Sequence, residues 1–215
     1  MSTTTQTLKF AKRKLRNEIK SKLKIISQDS LNSQSQSILN KLQDSTIFKN
    51  AKTIAVYMNM PDSEIKTLPI INECFKLNKQ VYLPNCNTQP APNRKKIYLS
   101  MLKVPSFQHV LDLKPQGKYQ LLEPLEGEDA IEQGDLDLIL IPGVAFTSNL
   151  KRLGHGAGFY DEFLSAYHNK WSTIPTLIGL ALEEQIVEDD VLPVENHDYE
   201  LNQLITNSDT YPKPR

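Results

Sequence analysis

The run LDLILI at residues 136–141 decides the fold of this chain. Its last four residues are apolar and include two β-branched isoleucines, and Pro142 and Gly143 follow directly. This combination is typical of a short strand that is buried on both faces. Shorter runs of the same kind predict further strands at residues 53–58, 80–83, 97–102, 176–181 and 203–206.

Apolar residues at helical spacing lie between these strands and before the first of them. Leu15, Ile19 and Leu23 recur at intervals of four with Lys and Arg between them, and they predict an amphipathic helix with a basic outer face. Further helices are expected at about residues 29–42, 67–75 and 160–167. Alternating strands and helices are typical of a parallel sheet that is covered on both faces. We therefore predict an α/β fold, with three α/β/α layers around a mostly parallel, Rossmann-like sheet, as a single domain over residues 1–215.

Two segments lack this periodicity. Residues 84–96 contain three prolines and three asparagines, and they predict a long loop of the kind that often has a function. Residues 114–134 are rich in Gly, Pro and acidic residues and are expected to be mostly irregular. Ligands of open parallel sheets bind beyond the carboxyl ends of the strands. Functional residues are therefore expected just after LDLILI.

The overall composition excludes several classes of partner. Lys plus Arg is 25 and Asp plus Glu is 25, so no global field favours nucleic acid or a membrane surface. No apolar run reaches the ~18–20 residues that span a bilayer. Cys74 and Cys86 have no Cys-x-x-Cys spacing, which indicates neither a disulfide framework nor a zinc site, and we expect a cytoplasmic monomer. The basic, Ser/Thr-rich residues 1–24 leave a mitochondrial transit peptide as the alternative.

Three of the eight glycines fall within five residues, in the stretch RLGHGAGFYD from Arg152 to Asp161. Alternating glycines let the backbone approach a ligand closely and aim successive N–H groups at one anion. The helix predicted after them adds positive partial charge at its N-terminus. The stretch lacks both the Gly-x-Gly-x-x-Gly dinucleotide fingerprint and the Gly-Lys-Ser/Thr of a P-loop. It predicts a phosphate site, and the alternative is a tight turn that only packs a helix on the sheet.

The longer run LILIPGVAFTSNLKRLGHGAGFYDEFL, at residues 138–164, resembles the signature of the 5-formyltetrahydrofolate cyclo-ligase family, also called methenyltetrahydrofolate synthetases. Further segments resemble the family in order along the chain: AKRKLR at 11–16, residues 58–67, LKPQGKYQLLEP at 113–124 and LPVENHD at 192–198. The resemblance thus covers nearly the whole chain.

The resemblance implies ATP and Mg²⁺ as cofactors and 5-formyltetrahydrofolate, with or without a polyglutamate tail, as the substrate. The family's reaction yields 5,10-methenyltetrahydrofolate: the formyl oxygen attacks the γ-phosphate, and N10 then closes the ring as phosphate leaves. Such chemistry needs positioning and charge neutralisation more than a protein nucleophile. It suits a sequence in which no Ser–His or Cys–His pair indicates nucleophilic catalysis.

Site residues follow from the resemblance position by position. Lys12 and Arg16, four residues apart on one helix face, match the basic positions that contact ATP phosphates. For Arg13, Lys20 and Lys22 we favour a merely solvated face. The residues that match the nucleotide-binding loop are Arg152, Leu153, Gly154, His155, Gly156, Ala157, Gly158, Phe159 and Tyr160. Among them, Arg152, His155 and Tyr160 are the expected catalytic residues, and His155 is expected to donate to a phosphate.

Acidic residues complete the expected site. Asp161 and Asp198 match the magnesium-associated acids of the family, and carboxylate oxygens suit Mg²⁺. Asp161 also fits a first-turn helix acid. Met58 and Glu64 match folate-contacting positions, with His155 and Phe159 completing the substrate contacts. The Glu64 carboxylate would accept from the donor edge of the pterin, and the alternative for Glu64 is a surface acid near a helix start.

The chain departs from the common family pattern at His155, Ala157, Phe159 and Asn202. Phe159 lacks the hydroxyl of the more usual tyrosine, and Asn202 stands where an acid is often found. These two departures keep open a folate- or nucleotide-binding protein without turnover. The glycine stretch alone also fits another phosphate-ligand enzyme on a similar sheet, such as a sugar-phosphate isomerase or a CoA transferase, but such an enzyme would not explain the basic N-terminal helix.

Overall fold

The computed structural model describes residues 3–60, 63–116, 120–193, 195 and 198–212. The helices are α1 (Thr3–Leu23), α2 (Gln28–Asp44), α3 (Thr46–Asn50), α4 (Leu68–Lys76), α5 (Phe107–Leu111), α6 (Ala130–Gln133) and α7 (Phe159–Trp171). The strands are β1 (Thr53–Val56), β2 (Gln80–Asn87), β3 (Tyr98–Val104), β4 (Pro115–Gln116), β5 (Leu121–Leu122), β6 (Leu138–Ile141), β7 (Ala145–Phe146), β8 (Arg152–Leu153), β9 (Thr176–Leu180), β10 (Gln203–Ile205) and β11 (Thr210–Tyr211).

Seven strands in the described part of the chain form one sheet, in the order β11-β10-β9-β6-β1-β2-β3. The central strands β10, β9, β6, β1 and β2 are parallel, and an antiparallel strand lies at each edge. The predicted α/β fold with a mostly parallel sheet is confirmed. The strand order reverses between β1 and β6, because β2 lies on one side of β1 and the later parallel strands lie on the other. Ligands of doubly wound sheets bind at such a switch point, beyond the carboxyl ends of the strands.

Helices cover both faces of this sheet. Successive residues of a strand face opposite sides. Leu138 and Leu140 accordingly pack in the cluster that holds the buried residues of α1, α2 and α4. Ile139 and Ile141 pack in a second cluster with the buried residues of α6 and α7. The apolar run that predicted a strand buried on both faces therefore forms the centre of a three-layer fold.

The N-terminal helix α1 contributes to the core. Leu15, Ile19 and Leu23 are buried and belong to the cluster on the first face of the sheet, as their spacing predicted. Removing a segment that supplies these residues would expose that face to water. The apolar face of α1 is therefore part of the core of the fold.

The loop predicted at residues 84–96 begins later than expected, because β2 continues through Pro84 to Asn87 and pairs with β3 along that length. β1 pairs with β2 only as far as Tyr82, so Pro84 lies where β2 has a single neighbouring strand. A residue without an N–H is tolerated in such a position. Proline and asparagine indicated a loop here, but pairing with β3 overrides that local preference. The connection that remains spans residues 88–97.

Two short ribbons were not predicted. β4 pairs with β5 inside residues 114–134, and α6 follows them, so this region is less irregular than expected. β7 pairs with β8, with Phe146 opposite Arg152, and this pairing returns the chain towards the end of β6. The guanidinium of Arg152 accordingly reaches the carbonyl oxygen of Pro142, at 3.3 Å. Among the described residues, no helix has both the length and the apolar character needed to cross a bilayer.

Candidate active site

A cleft of about 850 Å³ is bordered by α7 and by the segment around Asp198. α1 and the glycine loop, defined here as residues 154–158, both contribute to its walls. Its basic lining residues are Lys9, Lys12, Arg13, Arg16, Lys95 and Arg152, and its acidic ones are Asp161, Glu162, Glu195 and Asp198. The cleft therefore offers the cations expected around a polyphosphate, together with carboxylates that suit a divalent metal ion.

The glycine loop has a backbone that requires glycine at two positions. Gly156 has φ 113° and Gly158 has φ 67°, in the region that residues with a side chain rarely adopt. Gly158 is also the N-cap residue of α7, and glycine has no side chain that could cap that end of the helix. Gly154, Gly156 and Gly158 all line the cleft. Backbone close to the cleft and a helix N-terminus beside it are the features that bind anions.

Arg152 holds the loop and the helix together. Its Nη2 donates to Oδ1 of Asp161 at 2.8 Å, and its side chain is only 3% exposed. Asp161 Oδ1 also accepts from the backbone N–H of Tyr199 at 3.4 Å. No donor among the described residues reaches Oδ2 of Asp161, which leaves a carboxylate oxygen available on the cleft wall.

Lys12 and Arg16 reach the same cleft from α1, as their spacing predicted. Lys12 Nζ lies 2.9 Å from Oε2 of Glu195 and 2.7 Å from Oδ2 of Asp198. Burial lowers the pKa of Lys12, but its hydrogen bonds to the two acids outweigh that effect and the pKa is raised overall. Arg16 Nε donates to the carbonyl oxygen of Gly154 at 2.8 Å, and burial lowers the pKa of its guanidinium. α1 is thus tied to the glycine loop and to the segment around Asp198.

Both predicted magnesium acids lie on the cleft, and each is paired with a predicted phosphate-binding cation: Asp161 with Arg152, and Asp198 with Lys12. Within the described residues, no group of three or more His, Cys, Asp or Glu side chains could hold a metal by itself. Mg²⁺ commonly takes one or two protein carboxylates and completes its shell with phosphate and water. The two aspartates fit a metal that arrives with a nucleotide.

Glu64 and His155 contact each other beside the cleft. His155 Nε2 lies 3.1 Å from Oε1 of Glu64, whose side chain is 7% exposed. The backbone N–H of Met60 donates to Oε2 of Glu64 at 2.8 Å. The sequence predicted His155 as a phosphate ligand, but His155 contacts Glu64 and is not part of the cleft lining. The cause is local geometry: Gly154 and Gly156 line the cleft, and the side chain between them is directed to Glu64.

The other predicted substrate contacts belong to the apolar packing on the two faces of the sheet. Tyr160 packs against the apolar clusters of both sheet faces, Met58 packs against the first and Phe159 against the second. Burial raises the pKa of the Tyr160 hydroxyl, and the charge of Glu64 raises it further, whereas Arg152 lowers it. The hydroxyl therefore stays protonated and can donate a hydrogen bond.

Several site residues were not predicted. Arg13 is exposed, as its assignment to the solvated face of α1 predicted, and it also lines the cleft one turn from Lys9, a residue that the sequence did not single out. Glu195 pairs with Lys12 although no local pattern marks it. Of the predicted loop residues, Leu153 lines the cleft and Ala157 is exposed outside its lining. Within the segment 192–198, residues 194, 196 and 197 lie outside the described residues.

Asn202 does not belong to the site. Its Oδ1 accepts from the backbone N–H of Leu177 at 2.8 Å, and its own N–H donates to the carbonyl oxygen of Leu177 at 2.9 Å. Asn202 therefore connects the chain to β9, outside the lining of the cleft. An asparagine at this position removes no carboxylate from the cleft.

Known proteins resemble this chain over nearly its full length. The model of the 5-formyltetrahydrofolate cyclo-ligase family matches residues 8–207. A Saccharomyces cerevisiae protein named 5-formyltetrahydrofolate cyclo-ligase is 35% identical, covering 90% of this chain and 94% of its own. A Mus musculus protein of the same name is 31% identical, covering 93% of this chain and 95% of its own. The NMR structure of Aquifex aeolicus 5,10-methenyltetrahydrofolate synthetase matches with a TM-score of 0.71 and 26% identity, over 95% of this chain and 94% of that one. The chain therefore belongs to the 5-formyltetrahydrofolate cyclo-ligase family, whose named members are ligases.

Proposed function

We propose that this protein catalyses the ATP-dependent cyclisation of 5-formyltetrahydrofolate to 5,10-methenyltetrahydrofolate, with release of ADP and phosphate. One observation carries the proposal beyond family membership: the glycine loop lines the cleft and also supplies the contact with Glu64. Gly154 and Gly156 line the cationic cleft, and His155 between them contacts Glu64. A phosphate held in the cleft and a substrate held beside Glu64 would therefore lie next to each other, as phosphoryl transfer between them requires.

The nucleotide would bind in the cleft. Lys12, Arg16 and Arg152 bring positive charge to its wall, and the glycine loop with the N-terminus of α7 adds backbone dipoles. Charge-assisted hydrogen bonds of this kind are the strong contacts of phosphate sites. Asp161 and Asp198 would hold Mg²⁺, which supplies charge neutralisation between the β- and γ-phosphates when it is bound.

The folate would bind beside Glu64. Each carboxylate oxygen can accept more than one hydrogen bond, so Glu64 keeps acceptor capacity beyond its contacts with His155 and Met60. Because this carboxylate is buried, a ligand that offers it no hydrogen-bond donor would bind poorly. Met58 and Phe159 supply apolar surface nearby. These features favour the donor edge of a pterin over a purely apolar ligand.

The chemistry divides into two displacements. The formyl oxygen attacks the γ-phosphorus and ADP leaves. The formyl oxygen, a poor leaving group by itself, thereby becomes part of a phosphate that can leave. N10 then attacks the activated formyl carbon, the ring closes with loss of the N10 proton, and the original formyl oxygen departs in phosphate. The protein would position the reactants and balance charge: Arg152 and the glycine loop, which line the cleft, would contact the phosphates, and the neutral Tyr160 hydroxyl could donate to an oxygen near Glu64.

The experiment is a direct assay. Purified protein is mixed with 5-formyltetrahydrofolate and MgATP, and methenyltetrahydrofolate is followed by its absorbance while ADP is measured in parallel. We expect both products in equal amounts, and neither without ATP. Binding of both ligands without ADP formation would instead indicate a binding protein without turnover. Turnover of sugar phosphates or acyl-CoA, but not of the folate, would indicate the other enzyme class. The cytoplasmic location, the monomeric state and use of polyglutamylated substrate stay predictions.

A further inference from the structure

The connection between β2 and β3, residues 88–97, is fastened to α7 by one arginine. Arg94 Nε lies 2.7 Å from Oε1 of Glu162, and Arg94 Nη2 lies 3.0 Å from Oε2, a two-point ion pair. Both side chains are almost buried, at 8% and 10% exposed. Nη2 also donates to the carbonyl oxygen of Leu99 at 2.8 Å, and the guanidinium carbon lies 4.1 Å from the centre of the Tyr98 ring. Planar two-point pairing with stacking fixes both the distance and the orientation of the arginine.

A tight turn precedes Arg94. The backbone N–H of Arg94 donates to the carbonyl oxygen of Ala91 at 3.3 Å, with Pro92 and Asn93 between them. Asn93 has φ 60°. Proline followed by a residue of positive φ is the requirement of a type II turn. The sequence predicted only that this loop was long; the turn and the Arg94–Glu162 pair give it a defined position against α7.

The next residue, Lys95, is thereby placed over the glycine loop. Its side chain lines the cleft, and its Nζ lies beside Gly158, the N-cap residue of α7. The distance is 3.5 Å from Nζ to the position that a Cβ atom would take at residue 158. A cation beside the positive end of a helix is electrostatically unfavourable by itself. The nearest acids of that helix are already engaged, Asp161 with Arg152 and Glu162 with Arg94. Lys95 has no ion-pair partner among the described residues.

We propose that Lys95 binds a phosphate group of the nucleotide, and that Arg94 is the residue that positions it. An anion between the Lys95 ammonium and the N-terminus of α7 would be stabilised by both and would remove their mutual repulsion. Lys12 and Arg152 must exchange a carboxylate for the phosphate, whereas Lys95 can bind one without giving up a partner. The inference rests on the proposed placement of ATP in the cleft.

The test is calorimetric titration with MgATP, which measures binding without turnover. Lys95→Ala should raise the Kd for ATP about tenfold or more, since it removes a charge-assisted contact. Lys95→Arg should keep the affinity close to that of the wild type. Lys96→Ala is the matched control, because Lys96 is also exposed but is not part of the cleft lining, and its Kd should not change. Lys95 is exposed, so its replacement leaves the core untouched.

Equal ATP affinity of Lys95→Ala and wild type would overturn the proposal, and so would a wild type that binds no ATP. A wild type that binds ATP but does not cyclise the folate would contradict the proposed function alone. Arg94 is tested by a double-mutant cycle. Arg94→Met should weaken ATP binding, but should add little to the loss in a chain that already carries Lys95→Ala. If the losses of ATP affinity from Arg94→Met and Lys95→Ala are fully additive, Arg94 only supports the fold. The same follows if Arg94→Met weakens folate binding as much as ATP binding.

Discussion

Lys12 and Asp198 lie 186 positions apart in the chain, and their charged groups meet at 2.7 Å. One is the predicted ligand of a phosphate and the other of a magnesium ion. Arg152 and Asp161 form a second pair of the same kind, at 2.8 Å. These four side chains therefore balance one another's charges. A magnesium–nucleotide complex carries both positive and negative charge. Lys12 and Arg152 can therefore exchange a carboxylate for a phosphate, and the two aspartates can exchange a cationic side chain for Mg²⁺. No charge is left uncompensated by this exchange.

The basic face of α1 gives the first prediction. Lys12→Ala and Arg16→Ala should each raise the KM for ATP about tenfold or more, because each removes a charge-assisted hydrogen bond worth about 1.5–3 kcal/mol. Lys20→Ala is the matched control, since Lys20 is exposed on the same helix and does not line the cleft. Steady-state kinetics at varied ATP checks this. An unchanged KM in both variants would assign these residues to structure alone.

Asp161→Asn gives the second prediction. Asparagine keeps an oxygen that can accept from Arg152 and Tyr199, so the thermal unfolding midpoint should stay close to that of the wild type. Turnover at limiting magnesium should fall by about 10- to 100-fold, the scale of losses at metal sites, and should recover partly at high magnesium. Activity is measured across a magnesium titration. Near wild-type activity at low magnesium would refute the role of Asp161 as a metal ligand.

The third prediction follows from the contact between His155 and Glu64. Because His155 contacts the Glu64 carboxylate instead of lining the cleft, His155→Ala should raise the KM for 5-formyltetrahydrofolate by about threefold to tenfold, the value of one modest hydrogen bond. The KM for ATP should change much less. Kinetics with each substrate varied in turn separates the two. A larger effect on ATP would restore the phosphate-ligand role that the sequence predicted for this histidine.

Asp137 gives a prediction for stability against pH. Its Oδ2 accepts from the backbone N–H groups of Lys52 at 2.7 Å and Thr53 at 3.0 Å. Burial raises the pKa of Asp137, but these hydrogen bonds outweigh burial and the pKa lies below its ordinary value of 3.8. The stabilisation by the ionised form is therefore fully present above pH 3.8 and is lost as the pH falls through the lowered pKa.

Asp137→Asn should consequently lower the free energy of unfolding at pH 7 by about 1 kcal/mol. This is less than the usual contribution of a hydrogen bond to a charged group, because the residue is exposed. The difference from the wild type should shrink below pH 3.8, where the wild-type carboxylate also becomes neutral. Urea unfolding at several pH values checks both statements. The control is Asp135→Asn, because the Asp135 side chain is exposed and accepts no hydrogen bond from the described residues. A difference that stays constant down to the lowest pH would contradict the assignment.

The parts of the site that the sequence predicted are those that local spacing encodes. Lys12 and Arg16 share a helix face because they are four residues apart, and the glycine loop follows β6 within one short segment. Local spacing does not encode the contact of Glu64 with His155, because Glu64 follows β1 whereas β7 and β8 separate His155 from β6.

Other parts depend on tertiary contacts that no local pattern contains. Pro84 indicated a loop, yet pairing with β3 keeps it in a strand, because each strand pair is stabilised by a partner distant in the chain. Glu195 and Glu162 are ordinary acids in sequence, and only the fold gives them Lys12 and Arg94 as partners. The direction of the His155 side chain is likewise fixed by the conformations of Gly154 and Gly156, not by residue type.

The ion pair between α1 and the segment around Asp198 also has a consequence for biosynthesis. During synthesis Lys12 leaves the ribosome 186 positions before Asp198. The core face of α1 can pack as soon as the strands beneath it have formed, but Lys12 lacks its carboxylate partners until residues 195–198 follow. Completing this contact requires closure of a loop of 186 positions, which is entropically costly and slow. The wall of the cleft around Lys12 is therefore completed only after residues 195–198 have been made.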